Sequence, residues 1–117
     1  MAVDLSTTAR SNLGSVTRSA TLDATANDAT AITLPAWCVS FDIFIKKADD
    51  ATDDSGKLAT SGTDSAAIGT HYFPIPSGQG LTVNLPHANT ADTHTIYVSG
   101  ATGADLAKFV LRDFRGS

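Results

Sequence analysis

The sequence predicts an all-β fold, either a small antiparallel β-sandwich or a jelly roll, and three observations lead to this prediction. All twelve acidic residues are Asp, and Glu, which is a good helix former, is absent. Apolar and polar residues alternate in several short segments, most clearly at Val39, Phe41, Ile43 and Ile45. Gly, Pro, Asn and Asp separate these segments and favour turns between them. The spacing of the segments indicates about seven strands.

The size and composition of the chain exclude several classes of protein. A chain of 117 residues suits one domain, and a formal charge of −4 lacks the basic footprint of a nucleic-acid-binding protein. No segment approaches the ~20 apolar residues of a membrane helix, and the N-terminus has no signal-peptide pattern, so we expect folding in the cytoplasm. Cys38 is the single cysteine, which rules out an intrachain disulfide and predicts a small buried side chain.

The N-terminal part of the chain is predicted to be an arm followed by two strands. Residues 1–14 are polar and small and indicate a loosely held arm, so that residues 15–117 form the single β domain. A weak alternation predicts a strand over residues 15–23. A second predicted strand covers residues 30–34 and stops at Pro35.

The clearest strand signal in the chain covers residues 36–47. Its alternating apolar residues predict one face in the core and one polar face. Trp37 and Phe44 interrupt the polar face, which indicates contact with a second layer or with a neighbouring subunit.

Residues 48–70 are predicted to form a long loop, because few large apolar residues occur among many Asp, Ser, Thr and Gly residues. A loop of this length in a compact domain is usually functional, mobile or a contact segment. An irregular calcium site at Asp50, Asp53 and Asp54 is one alternative. The EF-hand pattern itself fails, because Ala51 stands where an acidic ligand is required and the terminal Glu is missing. A solvated acidic loop is the preferred interpretation.

The C-terminal half of the chain is predicted to contain four further extended segments. The first holds two prolines and belongs at a sheet edge or a bend. The last also fits helical spacing, and we favour a strand because of its β context. These segments are residues 72–76, 81–85, 93–99 and 104–114.

Motifs for catalysis or cofactor binding are absent or fail at key positions. The phosphate-loop pattern ending at Lys57 fails at Ala51 and Leu58, and no Ser has the flanking glycines of a nucleophile elbow. His87, Asp92 and His94 could approach one another around one loop as metal ligands, but ordinary surface histidines fit the pattern better. We therefore predict no catalytic residue, no cofactor and no metal site.

Four short motifs resemble those of small structural proteins in tailed-bacteriophage virions. They are residues 30–35 (TAITLP), the strand at 37–46, residues 73–80 (FPIPSGQG) and residues 96–103 (IYVSGATG). The resemblance covers most of the chain between Thr17 and Arg112. It implies a non-enzymatic β-rich virion component, commonly a head decoration or cement protein present in several symmetric copies.

The resemblance also implies the partners and the location of the protein. We expect a homo-oligomer, such as a trimer, that binds the major capsid protein in a virion assembled in the host cytoplasm, with no nucleic-acid or membrane partner. The residues expected to form contacts lie in the arm, on the polar face of the strand at 36–47 and near the C-terminus. They are Val3, Leu5, Trp37, Phe44, Phe109, Arg112, Phe114 and Arg115.

Two other functions remain open from the sequence. The first is a phage tail, fibre-base or adhesion module that binds a host glycan through loop 48–70 or through exposed aromatic residues. The second is a small hydrolase, which would need a cleft with perturbed acidic groups that the sequence does not identify.

Overall fold

The computed structural model describes residues 2–85 and 94–113 of the chain. Within these ranges the protein consists of ten β-strands and contains no helix, so the predicted all-β fold is confirmed. No helix that could cross a membrane occurs in the described part of the chain. The strands are β1 Val3–Asp4, β2 Ser15–Thr21, β3 Thr30–Leu34, β4 Ser40–Lys46, β5 Asp53–Asp54, β6 Gly56–Ala59, β7 Phe73–Ile75, β8 Leu81–Asn84, β9 His94–Gly100 and β10 Leu106–Arg112.

The strands form two sheets that pack face to face as a β-sandwich. The first sheet has the order β1-β3-β9-β6-β7, and the second has the order β2-β10-β4-β5, with β8 also paired to β4. All pairings between these strands are antiparallel except that of β1 with β3. Consecutive elements therefore pass repeatedly from one sheet to the other.

The hydrophobic core lies between the two sheets and follows the period-two pattern of the sequence. On β4, Phe41, Ile43 and Ile45 are buried, whereas Asp42 and Phe44 are partly exposed. On β10, the alternating residues Phe109 and Leu111 point into the same core. The rings of Phe41 and Phe109 meet at a centroid distance of 5.9 Å and a tilt of 59°, a favourable geometry for an aromatic pair.

Within the segment 104–114, residues 106–112 form strand β10, as preferred from the sequence, and β10 lies inside its sheet. It pairs with β2 on one side and with β4 on the other. Cys38 is also buried as expected, and burial raises the pKa of its thiol to about 11. The thiol therefore behaves as a small apolar group.

The structure corrects the prediction of one continuous loop over residues 48–70. Strands β5 and β6 occupy residues 53–54 and 56–59 of this segment, and β6 pairs with both β7 and β9. Leu58 supplies the physical reason, since its side chain is 1% exposed and completes the core beside β9. Residues 48–52 and 60–72 are irregular, apart from an isolated bridge between Asp28 and Ala67.

The structure also corrects the beginning of the predicted arm at residues 1–14. Strand β1 pairs in parallel with β3, and the amide of Leu5 donates to the carbonyl of Thr33 at 2.8 Å. The side chain of Leu5 is 8% exposed and belongs to the core. The start of the arm is therefore bound to its own domain. Strands β1, β5 and β6 account for the difference between about seven expected strands and ten observed ones.

Candidate functional site

Six of the eight predicted contact residues lie in the described part of the chain, in three structural environments. Val3 and Leu5 pack against the core of their own domain, and Phe109 is 1% exposed beneath β10. Because the side chains of Leu5 and Phe109 point inward, they offer no surface to a partner in this structure. Phe114 and Arg115 lie outside the described residues.

Trp37 holds the N-terminal arm against the domain. It lies in the turn between β3 and β4 rather than within the predicted strand, and its side chain is partly buried. The indole Nε1 donates a hydrogen bond of 2.8 Å to the carbonyl of Thr8. A buried tryptophan usually satisfies its N–H in this way. Trp37 thus makes an internal contact, and its predicted contact with another protein stays a prediction.

Phe44 and Arg112 lie on the outer face of the second sheet. The side chain of Phe44 projects away from the core and covers Gly80, where a Cβ would lie 2.5 Å from the ring. Arg112 forms an ion pair with Asp42 on the neighbouring strand. The hydrogen bond from Arg112 holds the pKa of Asp42 below its usual value, although burial opposes that shift.

A shallow groove of about 280 Å³ runs along this outer face beside strand β2. Phe44 and Val110 form its apolar floor, and Thr17, Ser19 and Lys108 border it. The register explains the grouping, because Ser19, Lys108 and Phe44 stand side by side on adjacent strands. The groove thus joins an apolar floor to an edge strand of small hydroxyl residues.

A second exposed apolar region lies at the open side of the sandwich, around β7 and β8. Tyr72 is 41% exposed and Phe73 is 54% exposed. Tyr72 precedes the edge strand β7, and Phe73 is its first residue. Phe73 borders a groove of about 230 Å³ with Leu81 and Val83 of β8. The ammonium group of Lys57 lies 4.7 Å from the ring centroid of Tyr72, which leaves the other face of that ring for a partner.

The acidic residues of segment 49–54 do not converge on one point. Asp49 accepts hydrogen bonds from the amides of Ala51 and Thr52 at 2.9 Å, and the bond from Thr52 is the main reason that its pKa is lowered to about 2. Asp50 pairs with Lys108, and Asp53 pairs with Lys46. The three residues proposed as calcium ligands, Asp50, Asp53 and Asp54, therefore contact different partners. The described residues contain no cluster of three potential metal ligands.

Asp54 turns inward and meets Asp105, and this buried pair was missed in the sequence. Asp105 has no exposed surface, and each of the two carboxyl groups shifts the pKa of the other, which indicates that they lie close enough to share one proton. Oδ2 of Asp54 and Oδ1 of Asp105 are buried, and within the described ranges they meet no hydrogen-bonding group from outside the pair. The amides of Ser55 and Thr102 donate to the other oxygens at 2.9 and 3.2 Å.

The surroundings of the pair shift the two pKa values in opposite directions. Burial, together with the hydrogen bond to Asp54, raises the pKa of Asp105 to about 7. For Asp54, burial acts to raise the pKa, but the hydrogen bonds from Asp105, Thr102 and Ser55 outweigh it and the pKa is lowered. The proton thus resides on Asp105 below neutral pH. The only signal in the sequence was a charged residue at the start of an apolar strand, which does not reveal its partner.

Of the three candidate metal ligands, only His94 lies within the described residues. His94 begins β9, whereas His87 and its neighbour Asp92 lie outside the described residues. The proposed approach of these side chains around one loop therefore stays a prediction.

No protein-family model, no curated protein and no solved structure matches this chain. The fold and the surface define a small β-sandwich that presents two apolar grooves and several strand edges to its surroundings.

Proposed function

We propose that this protein is a non-enzymatic structural component of a bacteriophage virion, which decorates or cements the capsid surface as a homo-oligomer. The supporting sequence evidence is the resemblance of residues 30–35, 37–46, 73–80 and 96–103 to small virion proteins. The single structural observation that carries the proposal is the exposure of Tyr72 and Phe73 beside the apolar groove at Leu81 and Val83. Exposed apolar surface next to polar residues marks a site of protein contact.

The physical role follows from the rigid sandwich and from multiplication by symmetry. A cement protein spans the joints between capsid subunits, so that pressure inside the shell must break additional buried contacts. Each contact can be weak, because symmetric copies act together and their effects combine. The two-sheet core holds the exposed aromatic residues in fixed positions, which lowers the entropy cost of binding.

The proposal is tested by measuring whether the chain is a stoichiometric part of the particle. Quantitative mass spectrometry of purified virions should find it in a fixed ratio to the major capsid protein. Purified chain should also rebind stripped shells, and the double variant Tyr72→Ala/Phe73→Ser should rebind at least about tenfold more weakly, because aromatic anchors carry a large share of contact energy. Thr63→Ala, at an exposed position that lines none of the grooves described here, is the matched control. Virions without the chain would contradict the proposal.

A second candidate function is supported by the surroundings of Tyr72. His71, Tyr72 and Phe73 line a groove of about 380 Å³ together with hydroxyl residues Thr60 and Thr70. An exposed aromatic ring beside hydroxyl and imidazole groups is a suitable surface for a sugar ring. The chain would then be a tail, fibre-base or adhesion module that binds a host glycan. Glycan-array binding that is lost in Tyr72→Ala, without affinity for shells, would favour this function over capsid decoration.

A further inference from the structure

Strand β2 is an edge strand whose outer side meets no other strand in the described part of the chain, although the guanidinium group of Arg18 donates a hydrogen bond of 2.8 Å to the carbonyl of Thr17. A carbonyl oxygen has two lone pairs, so this bond leaves one of them for a partner strand. Within residues 2–85 and 94–113 it pairs only with β10. The amide of Leu22 donates to Asp105, and the amide of Asp113 donates to Gly14, so the even-numbered residues of this segment face β10. In an antiparallel ladder the bonding positions alternate. The backbone N–H and C=O groups of Ser15, Thr17, Ser19 and Thr21 therefore point away from the sheet.

The other sheet edges are short or contain proline, whereas β2 is long and its protection is limited to the charged side chain of Arg18. Strands β1 and β5 have two residues each, and β7 has three residues with Pro74 at its centre. Strand β8 has four residues. Strand β2 has seven residues without proline or lysine, and Thr17, Arg18 and Ser19 at its centre are exposed. A long and regular edge is a template for another strand where its one charged side chain does not meet its own copy.

The residue pattern of β2 fits a second copy of the same strand. In a pair related by a two-fold axis, the residues whose backbone groups point away from β10 must pair with the same set of residues in the other copy. In β2 these residues are all Ser or Thr. Ser and Thr side chains form favourable cross-strand pairs by hydrogen bonding. A register centred on Arg18 would place two guanidinium groups opposite each other, which is unfavourable. The registers centred on Thr17 or on Ser19 instead place Arg18 opposite Val16 or Ala20.

The groove on the outer face extends the same contact. Thr17 and Ser19 share this face with Val110 and Phe44, which form the apolar floor of the groove. A strand added at the β2 edge brings its own hydroxyl side chains over that side of the sheet. The edge strand itself contributes only Arg18 as a charged group, so two copies bring no carboxylates of β2 together.

We propose that β2 is a homodimerisation edge, at which two copies pair antiparallel across a two-fold axis at Thr17 or Ser19 and join their second sheets into one continuous sheet. This inference deepens the self-association in the proposed function and rests on that part of it. It replaces the expected trimer by a two-fold unit, since an edge that pairs with itself closes after two copies.

The test is the mass of the full chain in solution, measured by light scattering and sedimentation at high micromolar concentration. The wild-type chain should be a dimer. Ser19→Pro removes an outward N–H that the β10 ladder does not use, and Ser19→Lys places two ammonium groups at or near the axis. Each variant should raise the dimer dissociation constant at least about tenfold, because symmetry applies every loss twice. Thermal unfolding of both variants reports whether the monomer still folds.

Matched variants distinguish the edge from a general effect of charge or of the serine side chain. Ser19→Ala keeps the backbone donor and should remain dimeric. Ser77→Lys adds the same charge at an exposed turn and should also remain dimeric. A wild-type monomer, a wild-type trimer, or a folded Ser19→Lys variant that is still dimeric would overturn the proposal.

Cysteine crosslinking identifies the register. Cys38 is fully buried, so single cysteines at the surface can be oxidised selectively. Residues on the axis of a hydrogen-bonded antiparallel pair have Cα atoms about 5.5 Å apart, which fits a disulfide. Either Thr17→Cys or Ser19→Cys should form a disulfide-linked dimer, and Ser77→Cys should not. Failure of both variants would overturn the two-fold pairing.

The dimer test and the virion test fail independently. If the chain forms a dimer that depends on β2 but is absent from virions, the virion function is refuted and dimerisation through β2 is supported. A chain present in particles that is monomeric in solution would refute the edge and keep the virion function.

Discussion

The replacement Asp105→Asn is the sharpest test of the buried carboxyl pair. The asparagine has nearly the same shape, so it fits beside Gly100, where a Cβ would lie 2.5 Å from Oδ2 of Asp105. Its amide group can donate permanently to Asp54, and its oxygen can accept from the amide of Thr102. The variant therefore imitates the protonated form of Asp105 at every pH.

The raised pKa of Asp105 determines the direction of the pH effect. A carboxyl group whose pKa is higher in the folded state binds its proton more tightly there than in the unfolded chain. The resulting stability is fully present below the unfolded pKa of 3.8 and is lost as the pH rises through about 7. Asp54 has a lowered pKa and acts in the opposite direction at acidic pH, below this window.

The magnitude follows from the pKa values. Between about pH 5 and pH 8, the wild-type chain should lose roughly 2–3 kcal/mol of unfolding free energy through Asp105, since one pKa unit corresponds to about 1.4 kcal/mol. For a domain of this size, that loss lowers the melting temperature by roughly 10 °C. The positive charge of Lys47 acts on both carboxyl groups and reduces the effect. Asp105→Asn should remove this part of the pH dependence.

The assay is urea unfolding at several pH values for the wild-type chain, Asp105→Asn and the control Asp28→Asn. Wild type and Asp105→Asn differ in this one group, and Asp28→Asn removes a carboxyl group elsewhere, so the difference between the curves isolates Asp105. Equal pH slopes for wild type and Asp105→Asn, or a wild-type stability that rises from pH 5 to pH 8 more than that of the variant, would refute the shared-proton description of the pair.

Two other substitutions test the packing around the predicted contact residues. Gly80→Ala should destabilise the fold by about 2–4 kcal/mol, because φ is +70° and the new methyl group would lie 2.5 Å from the ring of Phe44, whereas Gly69→Ala, with nothing within 4 Å, should change urea stability by less than about 1 kcal/mol. Trp37→Phe should loosen the arm by removing the bond to the carbonyl of Thr8, at a cost of about 1 kcal/mol, and limited proteolysis should cleave before residue 15 faster than in wild type. Unchanged stability of Gly80→Ala, or unchanged cleavage of Trp37→Phe, would contradict the packing described.

The strands with strong apolar alternation could be predicted from the sequence. Strand β3 coincides with the predicted residues 30–34, and β4 lies within the predicted residues 36–47. In these segments the side chains alone require one buried face. Strands β5 and β6 could not be predicted, because Asp, Gly and Lys have low strand propensity and pairing with β4 and β9 decides their conformation.

The candidate sites were harder to predict from the sequence than the strands, because they depend on contacts between residues far apart in the chain. The exposure of Tyr72 and Phe73 follows from the position of β7 at a sheet edge, which the prolines at 74 and 76 indicated in advance. The meeting of Asp54 with Asp105 depends on the approach of two chain segments about fifty residues apart, and no local pattern encodes it. Phe109 fits a core strand by its own sequence context, and its predicted surface contact overlooked this.

Cryo-electron microscopy of the intact virion tests the central claim most directly, since it shows where this sandwich is bound. Density for the chain should occur in many symmetric copies on the outer surface of the head, with the side that carries Tyr72 and Phe73 against the major capsid protein. A head that carries no such density would contradict capsid decoration. Density confined to the tail tip would favour the adhesion function instead.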